Sequence, residues 1–205
     1  LSLPPAESLN ILMIALGDEI LTGWGDVRER HIEYAGRVNH LHVIAYSPRR
    51  RGLSTTRISE HLTVYPTRST TRPGFILDAF HIGAAICRET PVHVITTQDP
   101  FTTGLAGAWL KHRFGIPLHV QNHSDFFDNP FWLAESPLRN RAFNLLGRWV
   151  LRRADTCRVV NTAEKAKYVR MGIPEERVAV VPVPVRLERF TPEGVPGEEA
   201  ALRAT

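Results

Sequence analysis

The feature that most constrains this chain is an alternation of short apolar runs with longer amphipathic stretches. Strand candidates fall at 10–16, 41–46, 62–65, 92–96, 118–122, 156–160 and 178–181. Most are near-continuous runs of Val, Ile and Leu, a pattern that suits strands covered by helices on both faces. Helix candidates occupy 26–38, 75–89, 103–114, 137–153 and 163–171. That order predicts an α/β fold, a doubly wound, mostly parallel sheet of Rossmann-like kind with the strand at 10–16 near its centre.

The punctuation agrees with these boundaries. Ser136 before Pro137 forms an N-cap and first-turn pair, because proline's missing N–H is no loss there. Leu138, Ala142, Leu145, Leu146, Trp149 and Val150 follow at helical spacing, and Arg152 and Arg153 end the segment where the helix dipole favours cations. Asn161 with Glu164 reads as a capping box, while Gly172 with Pro174 and Gly115 with Pro117 read as helix stops. Beyond Pro192 come Gly194, Pro196, Gly197, Glu198 and Glu199, which predict one domain over 1–192 and the start of a linker over 193–205.

With 205 residues, 43% hydrophobic and 22% charged, the chain can bury a core without staples. Cys87 and Cys157 fall inside predicted elements and read as small core residues, which fits a reducing cytoplasm. The net charge is only +4, but arginines cluster at 49, 50 and 51 and again at 139, 141, 148, 152 and 153. No nucleic-acid-binding motif accompanies them, so nucleic acid is not expected as a partner. For the second cluster a peripheral contact with anionic membrane and a plain solvated face remain the two readings. No apolar run approaches the length of a membrane-spanning helix.

In an open parallel sheet, ligands gather at the carboxyl ends of the strands. Three polar or glycine-rich stretches fall there. Residues 17–26 carry Gly17, Gly23, Trp24 and Gly25 ahead of a helix, where backbone can approach a phosphate or simply turn. The spacing is not GxGxxG and no acidic residue follows Tyr46, so a dinucleotide site is not expected and no cofactor is assigned. In the stretch 97–104, Asp99 either accepts from a sugar hydroxyl or braces its loop and the next helix. In 119–128, His119, Gln121 and His123 share one strand face, and Ser124 and Asp125 follow at the strand end. The two histidines lack a third ligand, and the chain has no Asp-x-Asp pair, so no metal is expected.

These stretches occur in the order found in the family 4 glycosyltransferases. The match comprises the strand and glycine loop over 11–25, the Asp99 loop and the Gln121-Asn122-His123-Ser124-Asp125 stretch. It continues with Ala154-Asp155 before a strand, then 178–182 leading to Arg189-Phe190-Thr191-Pro192. The whole chain resembles their N-terminal domain. The resemblance implies a GT-B architecture, two Rossmann-like domains facing a cleft, with metal-independent transfer from a nucleotide-sugar donor and retention of anomeric configuration. It implies a sugar or lipid-linked acceptor held by this domain, in cell-surface polysaccharide or glycolipid synthesis, at a cytoplasmic site or the inner membrane face. His123, Asp99 and Asp125 would then face the reacting sugar and acceptor, while Gly23, Trp24 and Gly25 would line the phosphate side. The family commonly has Pro-Asn-Gly-Val-Asp where this chain has Pro182-Val183-Pro184-Val185-Arg186, and Trp24 separates two glycines that are usually adjacent. Its Glu-x7-Glu pattern is absent, so the expectation is a fragment that stops before the donor domain and is inactive alone. The alternative is a non-catalytic sugar- or lipid-binding α/β module.

Overall fold

A computed structural model describes residues 3–23 and 26–183. Eight strands form one sheet: β1 (Asn10–Ala15), β2 (His40–Ala45), β3 (Thr56–Ser59), β4 (Leu62–Pro66), β5 (Val94–Thr97), β6 (Leu118–Gln121), β7 (Thr156–Val159) and β8 (Val178–Val180). The helices are α1 (Glu19–Thr22), α2 (Val27–Ala35), α3 (Phe75–Glu89), α4 (Thr102–Phe114), α5 (Pro130–Glu135), α6 (Pro137–Leu151) and α7 (Thr162–Arg170). The strand order is β3-β4-β2-β1-β5-β6-β7-β8, parallel throughout except for the β3–β4 hairpin. After β1 the chain builds outward through β2 and β4, then crosses back to lay β5 on the other side of β1. The β1–β5 crevice is therefore the topological switch point, where the carboxyl ends of the strands leave space for a ligand.

Every predicted strand and helix is present, with ends displaced by one or two residues for most of them. Among the strands and α-helices, three were not anticipated. Strand β3 reads Thr-Arg-Ile-Ser, a pattern with one apolar residue that becomes a strand only because β4 pairs with it. Helix α1 is a single turn. Helix α5 begins at Pro130 behind Asn129, whose side chain accepts from the Phe131 and Trp132 amides at 2.9 and 3.2 Å. Ser136 is the N-cap of α6 with Pro137 in its first turn, as expected, but α5 runs straight into α6, so Ser136 is shared between them and its side chain makes no capping hydrogen bond. Asn161 does cap α7, accepting from the Glu164 amide at 2.8 Å.

The core lies in two layers. On one face of the sheet Leu12, Ile14, Ile44, Ile95, Leu118 and Val120 pack against side chains of α3, α4, α6 and α7. Glycine permits the closest of these contacts: a Cβ on Gly107 would lie 2.7 Å from the Thr97 methyl and 2.9 Å from Leu118. On the other face Met13, Ala15, Val43, Leu62 and Val64 pack with Ile20 of α1 and Ala35 of α2. That apolar cluster ends at β1. On β5, β6 and β7 the same side carries Thr96, His119, Gln121 and Arg158, so the two-sided cover inferred from the apolar runs holds for only half of the sheet.

Candidate active site at the carboxyl edge

The loops after β1, β5 and β6 meet the switch point from neighbouring strands, and each is held differently. After β1, Asp18 is buried and one carboxylate oxygen pairs with Arg51. Gly23 ends α1 with φ of 72°, a left-handed conformation that other residues adopt only with strain. Trp24 and Gly25 lie outside the described residues, so of the expected phosphate-side trio only Gly23 is placed.

After β5, Asp99 is 6% exposed and its carboxylate serves its own loop. One oxygen accepts from the Phe101 amide at 2.5 Å, and the other from the Thr103 hydroxyl at 2.8 Å and the Thr103 amide at 3.4 Å. The Asp99 amide in turn donates to the Thr103 hydroxyl at 3.0 Å. Burial pushes the Asp99 pKa up, and the Thr103 and Phe101 donors oppose that rise. Of the two roles open to Asp99, bracing the loop and the start of α4 is the one this geometry displays. Gly104 keeps the turn tight, since a Cβ there would come within 2.9 Å of both the Asp99 carbonyl oxygen and Val150. Gln98 reaches back across the crevice to accept from the Leu16 amide at 3.4 Å, joining this loop to the first.

After β6 the chain carries Asn122 inward and leaves His123, Ser124 and Asp125 exposed. The loop is nevertheless tethered at both sides. Phe127 is fully buried with its ring 5.6 Å from Tyr168, and Phe126 lies 5.4 Å from Phe101 and 5.2 Å from Trp132. Asp128, at φ of 55°, donates its amide to Asn144 at 3.2 Å and pairs with Arg148 at 2.6 Å. Asp125 pairs with Lys167 of α7. The two aspartates therefore face different cations and do not form a joint carboxylate site.

Partial desolvation lowers the His123 pKa, and the Arg158 and Arg30 charges lower it further. The imidazole is thus neutral near pH 7, with one ring nitrogen donating and one accepting. Arg158 is itself fixed, donating to Gln121 Oε1 at 3.0 Å and to the Val181 and Pro182 carbonyls at 3.0 and 3.1 Å. Gln121 donates to Thr96 at 3.0 Å. A hydrogen-bonded row across β5, β6 and β7 therefore supports the strand whose end lies two residues before His123.

Beneath the loop lies a polar cluster that the sequence reading did not assemble. Glu164 is buried, accepts from Asn122 at 3.4 Å and pairs with Lys167 at 3.3 Å. Burial raises the Glu164 pKa; Lys167 opposes the rise and Asp125 adds to it. Burial acts to lower the Lys167 pKa, but Asp125 and Glu164 outweigh it and the net direction is up. The Tyr168 hydroxyl lies near Asn122 without a hydrogen bond to it. Glu164 was visible only as a capping-box residue, and Lys167 only as one helix cation among several. Among the described residues no three His, Cys, Asp or Glu side chains converge on one point.

The whole is a mostly parallel, Rossmann-like sheet with its switch-point crevice at the carboxyl edge. Residues 20–184 match the glycosyl transferase 4-like domain, and the chain belongs to that family. Among solved structures, the UDP-N-acetylglucosamine 2-epimerase of Rickettsia bellii superposes with a TM-score of 0.61 at 11% identity, over 91% of this chain and 48% of that one. The lipopolysaccharide outer core galactosyltransferase WaaB superposes with a TM-score of 0.56 at 13% identity, over 87% of this chain and 47% of that one. Anabaena Alr3699/HepE, in complex with UDP and glucose, gives 0.55 at 16% identity, over 96% of this chain and 49% of that one. At these identities the likeness is one of fold. The chain spans about half the length of the solved structures it matches. No curated protein sequence matches it.

Proposed function

We propose that this chain is the acceptor-side half of a retaining glycosyltransferase that moves a sugar from a nucleotide-sugar donor to a sugar or lipid-linked acceptor. The observation that carries this reading is the β6 loop: its flanks are locked by Phe126, Phe127, Asp128 and Lys167, while His123 alone of the three proposed reacting-side residues keeps an uncommitted, solvent-facing side chain. A neutral imidazole there can hydrogen-bond a sugar hydroxyl as charge builds in transfer. Asp99 acts as a positioning residue, because its carboxylate fixes the neighbouring loop. Asp125 orients the His123 loop through Lys167.

The loop of Gly23, Trp24 and Gly25 takes the donor phosphates on this reading, and the leaving phosphate helps deprotonate the acceptor. UDP and glucose in the solved Anabaena protein support a nucleotide-sugar donor here. The absence of an Asp-x-Asp pair supports a metal-independent reaction, and no cofactor is needed because the donor is already activated. Two free thiols, Cys157 buried and Cys87 half-buried, support a cytoplasmic setting. A role in building a cell-surface polysaccharide or glycolipid completes the proposal.

The test is calorimetry and a transfer assay on residues 1–205, alone and joined to a donor-side domain in one polypeptide. The isolated chain should bind nucleotide sugars only in the millimolar range or not at all and should transfer nothing. Orientation of two bound substrates accounts for about 7–11 kcal/mol of barrier in favourable cases, and one wall of a cleft cannot supply it. The joined polypeptide should be active. Micromolar donor binding or measurable transfer by residues 1–205 alone would overturn the half-enzyme reading.

A further inference from the structure

Helix α6 has an inner and an outer face, and the outer one is apolar along its centre. The inner one buries Asn140, Asn144, Gly147, Val150 and Leu151 against the core. The outer one presents Leu138, Ala142, Leu145 and Trp149, spaced at i, i+4, i+7 and i+11, which align on one side of a helix. Leu138 is 87% exposed and Leu145 71% exposed. Helix α5, packed at the start of α6, adds Phe131 at 82%. Single exposed leucines need no explanation, but a continuous outward line of them on one helix does.

The charges on α6 itself share one sign. Arg141, Arg148 and Arg152 flank it on one side, and Arg139 and Arg153 on the other. Neither α6 nor its neighbour α4 contains a single carboxylate. Of the nearby acids, Asp128 and Asp155 are paired with Arg148 and Lys111, and Glu135 at the end of α5 is exposed. At the far end of the helix Arg153 lies 3.8 Å over the Trp149 ring, beside a cavity of about 440 Å³ lined by Ala108, Trp109, Lys111, His112, Trp149 and Arg153. That cavity opens at the C-terminal ends of α4 and α6, away from Asp99 and His123, and is not part of the site described above. Two tryptophans among cations make an amphipathic rim, apolar in body and polar at the edge.

We propose that α6, with Phe131 of α5, lies along the surface of an anionic lipid bilayer, its apolar line entering the headgroup region while the arginines meet lipid phosphates. The shape favours a bilayer over a protein partner. The line is a convex ridge about 17 Å long at 1.5 Å per residue, with cations on both flanks, and a ridge inserts into a fluid interface without a matching groove. An apolar centre also excludes nucleic acid, whose phosphates would meet the arginines but leave the leucines in contact with charge. Among the described residues no helix is long and apolar enough to cross a membrane, so this contact is peripheral. Because α6 runs antiparallel to the strands it covers, Leu138 sits at the end nearer the His123 loop. A membrane along α6 then brings the carboxyl edge of the sheet close to the lipid surface.

Co-sedimentation of the chain with phosphatidylcholine vesicles, with and without about one third phosphatidylglycerol, tests the proposal. Binding should be strong on the anionic vesicles at about 0.05 M salt and should fall at least about tenfold near 0.5 M, as screening shortens the reach of the charges. Leu138→Ser with Leu145→Ser should reduce partitioning about tenfold or more, because two apolar side chains no longer leave water. Arg141→Glu with Arg152→Glu should do the same on anionic vesicles only. Circular dichroism and the thermal midpoint check that both double variants stay folded. No binding at low salt would overturn the proposal, as would binding indifferent to both double variants. A concentration-dependent dimer that the serine variant abolishes, without lipid binding, would assign the ridge to a second copy of the chain. Loss of binding in a longer polypeptide carrying a donor-side domain would assign it to that domain. Either result would also overturn the membrane reading.

Discussion

The loops after β5 and β6 leave adjacent parallel strands at the same edge, and each brings an acidic or histidine side chain to the crevice. They differ in where those side chains spend their hydrogen bonds. The β5 loop is closed on itself: Asp99 accepts from the Phe101 and Thr103 amides and the Thr103 hydroxyl, and little polar capacity remains for a ligand. The β6 loop is held by its rings and by distant partners on α6 and α7, so His123 needs no local bond to stay in place. A polar residue at a strand end is thus available for chemistry only when other residues do the bracing.

The largest effect that could break this contrast concerns turnover. In an active polypeptide containing this domain, His123→Ala should cut turnover by about 100- to 1000-fold, roughly 3–4 kcal/mol in the barrier. The same change should leave the unfolding free energy within about 0.5 kcal/mol, as for an exposed position without structural partners. Near-normal turnover in steady-state assays would return His123 to a structural role.

Asp99→Ala should show the opposite signature. It strands two amides and the Thr103 hydroxyl in a buried turn, and we expect a loss of about 2–4 kcal/mol in urea unfolding. If stability is unchanged while turnover collapses, Asp99 belongs to the chemistry and the distinction between the loops fails.

A smaller effect is expected for Asp125→Asn. Its ion pair with Lys167 is half exposed on the aspartate side, so its removal should cost less than about 1 kcal/mol of stability. If the pair orients the His123 loop, KM for acceptor should rise more than kcat falls.

The smallest effect is a displacement of a pH profile. His123 has its pKa lowered by desolvation and then by Arg158 and Arg30, so its neutral form persists below the ordinary histidine value of 6.5. Activity carried by neutral His123 should be constant above pH 6.5 and lost as pH falls through the lowered pKa. Arg30→Gln removes one of the charges and should move that acid limb upward. An unmoved limb in the variant would mean that another group controls it.

The sequence already carried the parallel α/β fold, because the apolar runs of β1 and β2, the alternating apolar residues of β4 and β6 and the helical spacing of α3, α4 and α6 are local patterns with one economical arrangement. It located both crevice loops for the same reason, since strand ends follow from strand boundaries. The polar strand Thr56–Ser59 was illegible, because its conformation depends on pairing with β4. Two roles for Asp99 were equally compatible with the letters; which donors surround its carboxylate depends on how α4 docks against β5. The cluster of Asn122, Asp125, Glu164 and Lys167 joins residues about 40 positions apart, and only the parallel register of β6 with β7 brings them together. The outward leucines of α6 could be read as core, since helical periodicity reports that an apolar stripe exists and not which way it faces. The tertiary structure decides that, because burial is a property of what packs against a face, and Leu138 and Leu145 stay 87% and 71% exposed.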